Sequence, residues 1–346
     1  MKLSVLDQSP VHDGGPPARA PADTLALAET CDALGYHRYW VAEHHDTAGY
    51  AGSCPEILIG HIAARTRRLR VGSGGVMLSH YSPFKVAEVF SMLATLHPGR
   101  IDLGLGRAPG GDQRAAAALA WPGQPAGAAL YGRQVSELRD FLHDTLPEGH
   151  PLSGLQAVPA PAEPPGLWLL GSGDGSAAFA GSVGAGFALA LFIGTHDRPR
   201  AIVDAYRDAF VPTPWRVSPE ALLAVAVICA DNREEAEYIA ATHTYWKVQA
   251  FRHGVRIPLL PPAECLDLKK RLSPSDQAYY DETLATMVLG SPEECRAELA
   301  ALAEAYGVDE IMAVNVCHHF ADRRRSYELL AGAGLAAGQR LAAAGR

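Results

Sequence analysis

Two periods alternate along the chain. Dense apolar runs occupy 3–8, 37–44, 69–78, 101–107, 166–172, 186–193, 222–230 and 310–317. Several are apolar on both parities, the pattern of parallel strands covered on both faces. Between them lie segments with helical spacing. Over 83–97, Val86, Val89, Phe90, Leu93 and Leu96 form one stripe behind a Ser82-Pro83 start. Ser291-Pro292-Glu293-Glu294 joins an N-cap serine, a first-turn proline and a glutamate three residues after the serine. Leu27, Cys31 and Leu34 share one side of a helix over 22–34. Eight strands with intervening helices predict a (β/α)8 TIM barrel, with a doubly wound open sheet as the rival. One domain over 1–346 is expected, with excursions at about 147–165 and 246–290. Long loops at the carboxyl ends of barrel strands commonly cover an active site.

Charge and cysteine usage narrow the partners. The 346 residues carry 30 Lys+Arg against 38 Asp+Glu, a net charge of −8. Nucleic acid and anionic membranes reward clustered positive charge, so neither is expected as a partner. The run Arg323-Arg324-Arg325 reads as a solvated helix face. Runs such as FALALFI and LLAVAVI are too short to span a bilayer. Six scattered cysteines without a C-x-x-C pair suit reduced thiols, so a cytoplasmic protein is expected.

Glycines mark three places. Gly104-Leu105-Gly106-Arg107-Ala108-Pro109-Gly110 follows a strand, but its G-x-G-x-x-x-G spacing and Pro109 oppose a dinucleotide-binding turn. Gly171-Ser172-Gly173-Asp174-Gly175-Ser176 precedes a helix expected over 177–183. It is either a flexible turn or an anion site built on a helix start. Arg107 sits at another strand's carboxyl end, so in a barrel both would share one rim and could grip one phosphate. Three glycines in Val71-Gly72-Ser73-Gly74-Gly75-Val76-Met77 signal a bulge or a close approach by backbone or ligand.

The stretch YWVAEHHD places Glu43, His44, His45 and Asp46 after an apolar segment. Strand alternation puts Trp40, Ala42 and His44 on one face and Val41, Glu43 and His45 on the other. Adjacent histidines are therefore poor joint ligands, and no metal site is expected, although His318-His319 offers two more. His44 at a strand end is well placed for proton transfer near neutral pH, or is a rim histidine satisfied by Glu43 or Asp46.

Together these pieces resemble the bacterial luciferase-like flavin monooxygenase family. The resemblance rests on WVAEHH, RVGSGGVML, SPFKVAEVFSMLATLHPGR with IDLGLGR after it, and WLLGSGDGS, in that order. Within the family the chain is most similar to the single-chain actinobacterial subgroup linked to aromatic polyketide tailoring. The resemblance implies a barrel and reduced FMN delivered by a separate flavin reductase. It also implies a flavin hydroperoxide that oxygenates a small organic substrate. It makes His44 the proton carrier, with Glu43 and His45 beside it and Gln8, His318 and His319 as further pocket candidates. Ser73, Gly74 and Gly75 would brace the flavin ring, with a non-prolyl cis peptide at Gly74-Gly75. Arg107, Ser172, Gly173 and Ser176 would hold the phosphate. Gly106 stands where luciferase has a reactive cysteine, so no thiol role carries over. Relatives dimerise, so a homodimer through helices 55–65 and 83–97 is expected. A deazaflavin-dependent hydride-transfer enzyme and a non-catalytic flavin-binding subunit are the alternatives.

Overall fold

The computed structural model describes residues 1–107 and 110–332. Its first half holds β1 (Lys2–Asp7), α1 (Ala20–Leu34), β2 (Arg38–Val41), α2 (Pro55–Arg65), β3 (Arg70–Met77), α3 (Pro83–Leu96), β4 (Ile101–Gly106), α4 (Gln113–Leu119) and α5 (Ala128–His143). The second half holds β5 (Gly166–Gly171), α6 (Asp174–Ser182), β6 (Gly186–Ala190), α7 (Ala201–Asp208), β7 (Ala221–Cys229) and α8 (Arg233–Arg252). It continues with α9 (Pro262–Lys269), α10 (Pro274–Ala285), β8 (Val288–Gly290), α11 (Pro292–Tyr306), β9 (Glu310–Val314) and α12 (Phe320–Ala331). Strands β1 to β7 and β9 pair in parallel and close on themselves through β6–β7 and β9–β1, giving an eight-stranded (β/α)8 barrel. The short β8 only extends the end of β7.

All eight expected strands are present. The longest overruns fall at carboxyl ends: β2 stops at Val41, β6 at Ala190 and β9 at Val314. After β2 and β6 the pattern continues because Ala42 and Phe192 still line the barrel mouth, whereas after β9 Val316 and Cys317 stay fully buried. Residues 147–165 hold turns and bends. The expected excursion at 246–290 begins inside α8, whose last residues it shares, and continues through α9 and α10 into β8. Both helix starts behave as the pattern requires. Ser82 Oγ accepts from the Lys85 N–H, and Ser291 and Glu294 satisfy each other's backbone N–H groups.

Strand alternation separates two cores. On β6 and β7, Phe187, Leu189, Leu223 and Val225 face the helices, whereas Ala188, Ala190, Leu222, Ala224 and Ala226 face inward. The small inward residues leave space where the larger ones would fill the barrel. At the amino end, Arg38, Arg70, Asp102 and Glu310 close the interior. Asp102 accepts from Arg38 Nη1 at 2.7 Å, Trp40 Nε1 at 3.1 Å and Arg70 Nη2 at 2.6 Å. Arg38 Nε reaches Glu310 at 2.9 Å, and its guanidinium lies over Trp168.

One expectation from charge is overturned. Arg324 and Arg325 are exposed, but Arg323 is fully buried and its Nη2 donates to Asp7 Oδ1 at 2.6 Å. Asp7 also accepts from the Tyr39 hydroxyl, so this pair ties α12 to β1 and β2. A charge run says nothing about which member turns inward. All six cysteines are free, and no helix among the described residues is long and apolar enough to cross a membrane.

Candidate active site

A cavity of about 1040 Å³ opens at the carboxyl ends of the strands. Its floor includes Leu6, Trp40, Ala188, Ala224 and Met312, and α8 forms one wall. The volume lies at the top of the roughly 300–1,000 Å³ usual for ligand pockets. It has room for a cofactor and a substrate together.

Three glycine-bearing segments shape the other wall. The β3–β4 register shifts between Gly74 and Val76, and the Gly74-Gly75 peptide is cis. A Cβ on Gly104 would come within 2.2 Å of the Ser73 carbonyl oxygen, and one on Gly75 within 2.7 Å of the Gly104 oxygen. These strands therefore approach more closely than any side chain would allow. Gly74 and Gly75 both line the cavity. Ser73 does not. It is fully buried, with Oγ donating to the Gly104 oxygen at 2.8 Å and accepting from the Gly104 N–H at 3.0 Å. Its side chain thus clamps β3 to β4, while Gly74 and Gly75 beside it face the cavity.

Arg107 at the end of β4 and Ser172, Gly173 and Ser176 at the start of α6 share the cavity rim. Helix α6 begins at Asp174, three residues before the expected start, because Ser176 folds back on Gly173 and donates to its oxygen at 2.7 Å. Arg107 and Ser172 are exposed. A guanidinium and the start of a nine-residue helix thus lie on one rim, groups of the kind that can hold an anion.

The acid–histidine cluster divides. His44 lines the cavity and stacks on Tyr50, with ring centroids 4.9 Å apart. Its Nδ1 is shielded from solvent without a hydrogen-bond partner among the described residues. Removal from water, with Arg256 nearby, lowers the imidazole to a pKa of about 4, so it is neutral at pH 7. Glu43 also reaches the cavity, because β2 has already ended and strict alternation no longer applies. Its carboxylate accepts from Tyr81 and His45 at 2.7 Å each and from the Met77 N–H at 2.9 Å. His45 lies off the cavity wall, and its Nε2 faces Glu43. Both residues hold the rim, with His44 left as the ring facing the cavity.

The second-rank candidates also part. Gln8 lines the cavity, and its Oε1 has no partner among the described residues. His318 and His319 lie elsewhere. His318 Nδ1 meets the Leu259 oxygen at 2.9 Å, and His319 Nδ1 meets Asp13 Oδ1 at 2.5 Å. With Asp13 they place three ligand atoms within 4.8 Å, a convergence that adjacent histidines in sequence did not reveal. Sequence reasoning also missed Thr47, Tyr50, His243, Lys247 and Arg256 on the cavity wall. The helical spacing of His243 and Lys247 was the one signal available, since residues four apart share a helix face.

A model of the luciferase-like monooxygenase family matches residues 1–310. The chain belongs to this family. The monooxygenase is 44% identical over 330 residues to the uncharacterized protein YwcH of Bacillus subtilis (strain 168), covering 95% of this chain and 98% of that one. It is 36% identical over 339 residues to the N-acetyl-S-alkylcysteine monooxygenase of the same organism, covering 97% and 99%. Among solved structures, apo-MsnO8 superposes with a TM-score of 0.83 at 40% identity, with 96% of each chain covered. The chain is thus a flavin-dependent monooxygenase built on the expected barrel.

Proposed function

We propose that this monooxygenase takes reduced FMN from a separate flavin reductase and uses dioxygen to oxygenate a small aromatic substrate of polyketide type. The carrying observation is that one cavity gathers Arg107 with the start of α6, the side-chain-free Gly74-Gly75 segment, and His44, whose Nδ1 has no hydrogen-bond partner among the described residues. The residues fit FMN. Arg107, Ser172 and the open N–H groups of α6 would hold its phosphate, with Ser176 fixing the helix start. Gly74 and Gly75, lacking side chains, would admit a flat ring against β3. Reduced FMN would supply the electrons that activate dioxygen for transfer of one oxygen atom.

The chain's own residues would orient and protect that chemistry. His44, neutral at pH 7, can accept a proton on one ring nitrogen and donate from the other, so it serves as a relay. Tyr50, Phe192, Trp246 and Phe251 would cover the substrate and keep water out. Exposed Ile57, Met92 and Leu96 on α2 and α3 favour a homodimer through those helices. The unpaired cysteines favour the cytoplasm.

Anaerobic titration with reduced FMN and with reduced deazaflavin, followed by oxygen and an aromatic polyketide, tests the reading. FMN is expected to bind and one atom of dioxygen to enter the product. Tight deazaflavin binding without an oxygen-dependent product would replace the proposal with hydride transfer. Undiminished product formation by His44→Ala would remove the relay.

A further inference from the structure

The wall of the cavity formed by α8 carries a second set of polar groups. His243 and Lys247 lie one helical turn apart and both line the cavity, though they are only 1% and 2% exposed. Lys247 Nζ donates one hydrogen bond, to the Phe192 carbonyl oxygen at 2.6 Å. No other Nζ hydrogen bond is formed among the described residues. His243 Nδ1 is buried without a partner among them. The one charged side chain that influences Lys247 is Arg198, of like sign, and His243 is influenced by Lys247 itself. Burial with no counter-charge pulls the ammonium down to about 7 and the imidazole well below its ordinary value. Elsewhere in this molecule deep cations are matched, Arg323 by Asp7 and Arg38 by Asp102 and Glu310. Here no carboxylate among the described residues pairs with the cation, which instead borders a cavity lined by Phe192 and Trp246.

We propose that Lys247 and His243 form a subsite for an anionic oxygen of the substrate, a carboxylate carried on an aromatic skeleton. A carboxylate can accept from two free Nζ hydrogens and from a His243 N–H at once, supplying the acceptors that the protein lacks there. The aromatic walls would take the skeleton. This proposal rests on reading the cavity as the substrate chamber, and it is separable from the identity of the flavin.

The test is calorimetric titration of the full-length, flavin-free protein at pH 6.5. Three matched pairs serve as probes: benzoate and benzamide, 2-naphthoate and 2-naphthamide, 9-anthracenecarboxylate and its carboxamide. At least one acid is expected to bind ten-fold or more tightly than its amide. Lys247→Met, which keeps the buried volume, is expected to abolish that preference while leaving the amide's affinity within about two-fold. His243→Asn is expected to reduce it several-fold. If no pair shows the preference, including because no probe binds, the proposal falls. It falls also if Lys247→Met retains the preference, or if that variant loses affinity only for reduced FMN. FMN binding by the same wild-type sample is scored separately, so failure of the flavin reading leaves the acid–amide comparison intact.

Discussion

Glu43 accepts hydrogen bonds from three groups, two of them 34 and 38 residues away in sequence. Glu43→Gln would set an amide N–H₂ against the Met77 N–H or against the Tyr81 and His45 donors, leaving a buried group unsatisfied. A loss of roughly 1–3 kcal/mol is expected, measured by urea unfolding. An unchanged midpoint would mean that the network relaxes. At this scale the sequence announced that 43–46 was chemically rich, and alternation separated His44 from His45. It could not show that Glu43 is tethered, because Tyr81 and Met77 are brought to it by the β2–β3 pairing and the turn after β3. Nor could it show Ser73 turned toward β4, since serine in a glycine run looks alike whether it faces a ligand or a neighbouring strand.

At the level of elements, the glycines carry the most information. A Cβ on Gly171 would lie 2.1 Å from Ser176 Oγ and 2.5 Å from Ser176 Cβ, so even a methyl group must displace the start of α6. Gly171→Ala is therefore expected to weaken FMN binding about ten-fold, or ~1.4 kcal/mol, read by flavin fluorescence quenching. Riboflavin, which has no phosphate, is expected to lose much less; equal losses would place the phosphate elsewhere. The strands themselves were legible because parallel barrel strands are apolar on both faces. Their carboxyl ends were not, since residues lining a mouth keep that pattern after the ladder stops, as Ala42 and Phe192 do. The 246–290 stretch resisted for the opposite reason. Its helices bury small satellite clusters such as Tyr245, Cys265 and Tyr280, leaving no broad stripe to read.

For the whole molecule, several buried or half-buried histidines set the acid response. His44 and His143 titrate at about 4 and His12 at about 3 in the folded chain, all depressed by burial. The unfolded chain binds these protons from about pH 6.5 downward. Between those values the unfolded state holds more protons, so the imidazoles' share of the stability is complete above about 6.5 and is lost as pH drops toward 4 and 3. Asp7 and Asp102, whose carboxyls are held below the ordinary range by arginines, begin to contribute only below about 3.8. Urea midpoints at pH 7, 5.5 and 4.5 are expected to decline steadily. A flat response over that range would show that the imidazoles meet water in the fold.

The floor of the barrel and its mouth differ in how freely they can change. Removing one member of the Arg38–Asp102–Arg70–Glu310 set leaves a charge stranded in the interior, a defect that reaches the whole fold. At the mouth, Gln8, Thr47 and His243 hold polar atoms that have no hydrogen-bond partner among the described residues. Substitution there alters what the chamber can hold without undoing what holds the chamber. A lineage, or an engineer, can therefore exchange substrates on this scaffold one wall residue at a time while its foundations stay untouched.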